Sequence, residues 1–431
     1  MDSVGGYKLI VENKSDSDIA INADIMFVCY PFEEKGTFVC SNEGLNKIYE
    51  LGKWTVKICR QSIELDSPAH TENLLCTGDY LIESLVNSVV TGDYSLTRFD
   101  IVRMARYFIA TNGYRHHSTY ALLWMEMLYE YYMYSGDSTI FKDVIEGMEK
   151  MLNRFRGFED ENGILDNITN YMFIDWVFID GYGMHHPPRA LGETYLNELY
   201  YNALVIASKI YNIMGDGDKA TEFLERSIKL KVIINDLFFD QKKGLYFDGR
   251  NLPNEINRAT PENPLKRYYT MYPNVMAVFC GLCDKETGKK IMKTILEDET
   301  MQEVQPYFMH FVLESLTKVA LFHEYGVKLI QKWEHLVEEC KKGLGEVWSA
   351  FEGYATDYSH GWGATPTYQL PIKLAGIKIL EPGFKKINLS PNLYGLDWAD
   401  ITVPTPYGNI IVNLKKDGKK EIIIPGEIET V

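Results

Sequence analysis

The chain predicts a mainly α fold, with helical hairpins closed into an α/α barrel and small β-sheet segments at both ends. Three observations carry that prediction. From about Asn42 to about Lys342, apolar residues recur mostly at helical spacing. Short turns rich in Gly and Asp recur around Gly92, Gly136, Gly215, Asp284 and Gly326. Glycine there suits the left-handed residue that ends a helix, and aspartate beside it can cap the next one. Between these turns lie longer connections, at 62–79, 156–191, 240–272, 298–306 and 343–363. Long loops alternating with short turns gather at one end of such a barrel. Connections above about a dozen residues inside a compact domain are usually functional.

The elements follow in order. Residues 7–30 read as strands, because YKLIV and INADIMFVCY are β-rich and flank the turn-like NKSDSD. Asn42 is a plausible cap for the first helix. After Gly376 the texture becomes β again, in GFKKINLSP, ADITVPTPYG, NIIVNL and EIIIP, with Asp417–Gly418 as a hairpin turn. The expected division is an N-terminal β segment at 1–37, a helical barrel at 38–376 and a C-terminal β-domain at 377–431.

Composition narrows the function. The 431 residues are 46% hydrophobic, ample for a sizeable core, so disorder is not expected. A formal net charge of −16 argues against nucleic acid as a partner, since phosphate binding needs clustered Lys and Arg. Seven scattered cysteines make a disulfide framework improbable. Cys280 and Cys283 form a lone CxxC in an apolar run and read as buried thiols. No leader-like start and no apolar run of membrane-spanning length is visible, which predicts a cytoplasmic protein without a membrane partner. Oligomeric state is left open.

The chemistry concentrates in Asp66–Asp79, DSPAHTENLLCTGD, with three carboxylates and a histidine on an irregular connection. Asp66 and Asp79 suit sugar hydroxyls, because an ionised carboxylate accepts two donors. Asp79 also reads as the N-cap of a helix over Tyr80–Val89, and Glu72 as a surface cap or ion-pair partner. Asp175–Trp176 interrupts the apolar run YMFIDWVFID. His185 and His186 follow on a proline-stopped segment, and His116–His117 makes a weaker pair. The last long connection holds Glu346, Trp348, Glu352, Asp357, His360 and Trp362. Trp348 and Trp362 either stack on a sugar ring or pack beneath the barrel rim. No HExxH pattern accompanies the histidines, so no metal is expected. Walker, GxGxxG and GxSxG signatures are absent too.

Taken in order, these segments resemble glycoside hydrolase family 78, the bacterial α-L-rhamnosidases. DSPAHTENLLCTGD is similar to the family's DCPxRxExxGxxGD loop, matching at Asp66, Pro68, Glu72, Gly78 and Asp79. Phe173–Trp176, NVMAVFCGL, QPYFMHFVLESL and SHGWGATPTYQLPIKLAGIKILEPGFKKINLSP resemble four further family segments. The resemblance covers roughly Ser41 to Gly408. It implies an (α/α)6 barrel, inverting hydrolysis of terminal α-L-rhamnosyl or related units, and no cofactor. Glu72 would be the general acid. Asp66, His70, Asp79, Asp175, Trp176, His185, His186, Trp348, His360 and Trp362 would line the carbohydrate site. Where the family carries a Trp-Glu pair with its base, this chain has Trp348–Ser349. The base therefore falls to Glu352 or Glu346, with Asp357 third. Glu352 is preferred because it precedes Gly353 and a polar loop. The alternatives are another α/α-barrel enzyme (a glucuronyl hydrolase or an inverting phosphorylase) or a degenerate barrel that binds sugar without cleaving it. Family members carry further β-domains before the barrel, so the chain is expected to be a minimal member or a fragment.

Overall fold

The Asn42 side chain accepts the backbone N–H of Leu45 at 3.0 Å, and helix α1 (Glu43–Cys59) starts there, directly after strand β1 (Thr37–Cys40). The computed structural model describes residues 10–24, 26–68, 75–166, 168, 170–252, 260–263, 265–349 and 357–431. Helices α2 (Thr77–Val90), α3 (Ser95–Ala110), α4 (Ser118–Ser135) and α5 (Ile140–Arg156) come next. A hairpin of β2 (Phe178–Ile179) and β3 (Tyr182–Gly183) precedes α6 (Glu193–Met214) and α7 (Gly217–Phe238). A second hairpin, β4 (Phe239–Asp240) and β5 (Leu245–Tyr246), precedes α8 (Met271–Cys280) and α9 (Lys285–Glu297). Then follow α10 (Pro306–Lys318), α11 (Phe322–Gln331), α12 (Trp333–Cys340) and α13 (Thr365–Ala375). Six strands finish the chain: β6 (Ile377–Glu381), β7 (Lys386–Leu389), β8 (Trp398–Thr405), β9 (Gly408–Lys415), β10 (Lys420–Ile423) and β11 (Glu429–Thr430).

Helices α2, α4, α6, α8, α10 and α13 touch in sequence and close into a ring. All of α2 and α13 is buried, as an inner helix requires. Outer helices bury one stripe; α5 turns Ile140, Val144, Met148, Met151 and Phe155 inward. Helix α1 packs on α13, so the sixth hairpin joins the start of the barrel to its end. The short turns between α2 and α3, α4 and α5, α6 and α7, α8 and α9, and α10 and α11 lie at one end of the ring. The long connections run into the N-termini of the inner helices at the other end. This is the hairpin rhythm expected from the sequence.

Four expectations change. The turn expected around Gly326 lies inside α11, and the chain turns instead at Val319–Leu321. Described residues between 10 and 36 form no strand; they are largely exposed, and the Asn13–Ser17 turn bonds to itself. Tyr30 N–H donates to Arg60 O at 2.8 Å, so this stretch is tied to the end of α1 rather than to a strand. The strand that does form, β1, pairs antiparallel with β8 in a sheet ordered β1-β8-β9-β10, so both ends of the chain share one sheet. Cys280 and Cys283 are half-buried rather than buried, because α8 ends there.

Strand β1 and strands β6–β11 pack on the short-turn end. Gly36 N–H donates to Val90 O at 2.8 Å, and Pro404 lies against Gly92. Gly136 and Gly383, at φ +74 and +68, meet so closely that a Cβ on the first would stand 3.1 Å from the Cα of the second. The long-loop end is left uncovered by these sheets. Among the described residues no helix is long and apolar enough to cross a membrane.

Candidate active site

Helix α2 begins at Thr77, with Cys76 in the capping position, so Asp79 sits inside the first turn and is not the N-cap. Its carboxylate points into the barrel mouth and is 2% exposed. His360 lies across from it on the connection into α13. His360 Nδ1 is 3.7 Å from Asp79 Oδ1, and Nε2 is 3.9 Å from both Asp66 Oδ2 and Glu346 Oε1. One imidazole thus stands among three nearly buried carboxylates drawn from two distant long loops.

Backbone hydrogen bonds tie these loops together. Gly361 N–H donates to Asp66 O at 2.7 Å, and His360 N–H to Leu344 O at 2.9 Å. Glu346 N–H donates to Asp357 O at 3.0 Å, and Trp362 Nε1 donates to Glu346 O at 2.9 Å. Asp66, Asp357 and His360 also bring one ligand atom each within 4.8 Å of one another, a donor set of the kind a divalent ion uses.

Electrostatics here favour protons. Burial pushes the Asp79 carboxyl well above its ordinary range, Asp66 adds to this, and a hydrogen bond from Tyr120 partly opposes it. Beneath this layer, Glu64 and Glu83 are both wholly buried, and burial raises both; Glu83 is raised further by Glu64. Each therefore favours its protonated form beside the other. The Arg60 guanidinium, 3.6 Å from Glu64, supplies a balancing charge and lies 4.9 Å from the Tyr30 ring. A Cβ at Gly361 would overlap the Glu83 carboxylate, so the backbone beside His360 rests on this acid pair.

The remaining predicted residues take varied positions. Glu72, His70 and Glu352 lie outside the described residues. Glu346 reaches the cluster, because the backbone bonds of Glu346 and Leu344 to Asp357 and His360 hold it across from His360. Asp175 is fully enclosed, and its oxygens accept from Tyr272 Oη at 3.0 Å and from the backbone N–H groups of Gln305 and Trp176, each at 2.9 Å. This corrects its reading as a sugar contact: burial pushes its carboxyl up to about 7, and it fastens the segment under the rim. Trp348 is half-buried, edge-on to Trp333 at 4.6 Å, with its indole N–H on Val304 O. It too packs beneath the rim. Trp362 is 2% exposed, with its ring 4.1 Å from that of His360 and 4.8 Å from that of Tyr307.

Trp176 and His185 are half-buried neighbours at 5.2 Å. His186 Nδ1 accepts Met172 N–H at 3.2 Å, and its ring stacks on Tyr171 at 4.9 Å. His116 stacks on the same tyrosine at 5.2 Å, so the two histidine pairs build one aromatic wall. Sequence reasoning passed over Tyr120 and Tyr307. The Tyr307 hydroxyl is buried without a hydrogen-bond partner among the described residues, its ring at the Trp362 face. The signal was there in QPYFMHF, where the tyrosine falls in the first turn of an inner helix.

Residues 33–370 match the family model of the bacterial alpha-L-rhamnosidase 6 hairpin glycosidase domain, and residues 376–423 match that of the bacterial alpha-L-rhamnosidase C-terminal domain. The chain belongs to this family. It is 22% identical over 453 residues to an alpha-L-rhamnosidase of Formosa agariphila, an alignment covering 93% of this chain and 43% of that protein. Among solved structures, it resembles the family 78 rhamnosidase of Bacillus sp. GL1, with TM-score 0.79 and 21% identity over 93% of this chain and 44% of that one. The alpha-L-rhamnosidase of Dictyoglumus thermophilum gives 0.77 and 20%, over 93% and 45%. That of Streptomyces avermitilis, solved with L-rhamnose, gives 0.70 and 11%, over 93% and 38%. The family member here spans less than half the length of each of these relatives.

Proposed function

We propose that this family member hydrolyses terminal α-L-rhamnosyl units from glycosides, with inversion at the anomeric carbon. The observation that carries the reading is the gathering of Asp66, Asp79 and Glu346 around His360 at the long-loop end of the barrel. Rhamnosidase names among its relatives support the sugar. The mechanism needs one protonated carboxyl to give its proton to the leaving oxygen. A second, ionised carboxylate draws a proton from water on the opposite face of the ring. Glu72 takes the first role by its place in the Asp66–Asp79 motif. Glu346 takes the second, with the His360 ring beside it to favour its charged form when protonated. Asp79, whose proton is favoured by burial and by Asp66, offers a donor to a ring hydroxyl, whereas Asp66 accepts from one. Trp362, backed by Tyr307, packs on the His360 ring and holds it in place.

The test is release of p-nitrophenol from a panel of aryl glycosides, with Glu72→Gln beside the wild type and proton NMR of the first sugar anomer released. Turnover of the α-L-rhamnoside alone, giving the β-anomer first and falling by orders of magnitude in the variant, is the expected result. Release of the α-anomer first would overturn inversion. Turnover of a different member alone would overturn the sugar.

A further inference from the structure

A second concavity of about 640 Å³ opens on the long-loop end, beside the acid cluster. Its walls are the β2–β3 hairpin, the β4–β5 hairpin, residues 267–270 and residues 298–302. This volume lies in the range of small-molecule sites. One short segment links the groove to the candidate active site: Phe178 lines the groove, and Trp176, two residues before it, is joined through Gln305 to Trp348, two residues after Glu346. Gln305 clamps that segment, donating through Nε2 to Trp176 O at 3.1 Å while its Oε1 accepts Trp348 N–H at 2.9 Å.

The groove is built, with its rings held in place. Tyr268 Oη donates to Asp180 at 2.9 Å and Tyr269 Oη to Asp240 at 2.7 Å. Phe178 leaves half its surface, 51%, to solvent at the edge. The acids around it are occupied. Asp180 also takes Lys266, Asp240 takes the backbone N–H groups of residues 242 and 243, and Asp298 takes both the N–H and hydroxyl of Thr300. The cations keep donors to spare, Lys243 resting on a ring and Arg267 in one long ion pair. Lys243 Nζ lies 3.8 Å from the Tyr269 ring centroid, and the Arg267 guanidinium lies 4.6 Å from that of Phe247 and 3.9 Å from Asp240 at its nearest. Two exposed cations with donors to spare, set against fixed rings, match a sugar that carries a carboxylate.

We propose that this groove binds the saccharide on the leaving-group side of the scissile bond, and that the saccharide contains uronic acid. The inference deepens the rhamnosidase reading and rests on it for the direction of the chain, but its binding step can be measured without turnover. Lys243 and Arg267 take the uronate carboxylate, and Phe178 takes the face of a ring.

The experiment uses an oligosaccharide of alternating rhamnose and galacturonate with a rhamnosyl end, and the same oligosaccharide after carboxyl reduction. Calorimetry measures the binding of each, with its terminal rhamnose removed, to wild type and to the Lys243→Ala/Arg267→Ala double variant. The expected result is binding of the uronate form at least tenfold tighter than the reduced form, with that preference lost in the variant. In turnover, the variant is expected to lose tenfold or more in kcat/KM on the full uronate oligosaccharide and to keep wild-type kcat/KM on the p-nitrophenyl rhamnoside. Equal binding of both forms, or no binding of either by wild type, would overturn the proposal. A wild type that binds the uronate form yet cleaves no rhamnoside would sink the rhamnosidase reading and leave the groove standing.

Discussion

The two ends of the helical barrel carry similar side chains in opposite electrostatic states. At the long-loop end, Asp66, Asp79 and Glu346 crowd one histidine, and burial followed by mutual repulsion pushes Asp79 up. Toward the short-turn end, in the last turns of α10 and α13, Glu314 meets Lys373 at 2.8 Å and Gln369 at 3.0 Å. Burial alone would raise the Glu314 carboxyl, but Lys373 and then His310 override it and hold it down to about 2. Acids with cations beside them are ionised and act as struts. Asp79, with no cation beside it, is pushed toward its protonated form, a pattern typical of functional sites. The contrast separates a structural end from a chemical one within a single ring of helices.

Exchanging a carboxylate for its amide at each end should break the contrast most visibly. Glu346→Gln is expected to lower kcat on an aryl rhamnoside by about 10²–10⁴-fold, the usual contribution of a general base. Steady-state kinetics with a melting curve would check it; a variant as active as wild type would remove Glu346 from the chemistry. Glu314→Ala leaves the buried Lys373 ammonium unpaired and should cost about 3 kcal/mol in denaturant unfolding. Activity of the folded fraction should be unchanged.

Next in size is a pH effect at Asp175. Its folded-state value of about 7 lies above the ordinary carboxylate range. The folded chain keeps this proton while the unfolded chain loses it, so stability from this group is full below about pH 4 and is lost as pH rises toward 7. Asp175→Asn cannot titrate. Its stability relative to wild type should rise across that window, by at most about 1.4 kcal/mol per pH unit. Unfolding curves at pH 4, 5, 6 and 7 decide it, and a constant difference would refute the assignment.

The smallest expected effect is at Gly361. An added methyl there must displace Glu83, which should cost about 1–3 kcal/mol as overpacking does. It should also lower kcat/KM by shifting His360, and a crystal structure of Gly361→Ala would show whether that ring moves.

Much of the barrel was legible, because four of the five short turns carry glycine and aspartate and the inner helices are apolar; the Val319–Leu321 turn carries neither. Helix α13 was harder to read, since Pro366 and Pro371 argue locally against a helix. Its burial by α1, α2 and α10 overrides that preference. The pairing of β1 with β8 spans most of the chain, and no local signal encodes it. At the site, the Asp66–Asp79 motif named its residues through clustering on one loop. The place of Glu346 beside His360 could not be read locally, because it depends on a backbone hydrogen bond to Asp357 across the loop. Glu83 was passed over: inside the apolar YLIESLV it looks like an ordinary polar helix position, and only the fold brings Glu64 beneath it.

The decisive measurement is kcat and melting temperature, side by side, for wild type, Glu346→Gln and Glu314→Gln on p-nitrophenyl α-L-rhamnoside. Two ends with separate roles predict that Glu346→Gln loses turnover and keeps its melting temperature, while Glu314→Gln melts earlier and keeps its turnover. If both variants lost turnover and stability together, or if Glu314→Gln alone lost turnover, the division between a chemical end and a structural end would be contradicted.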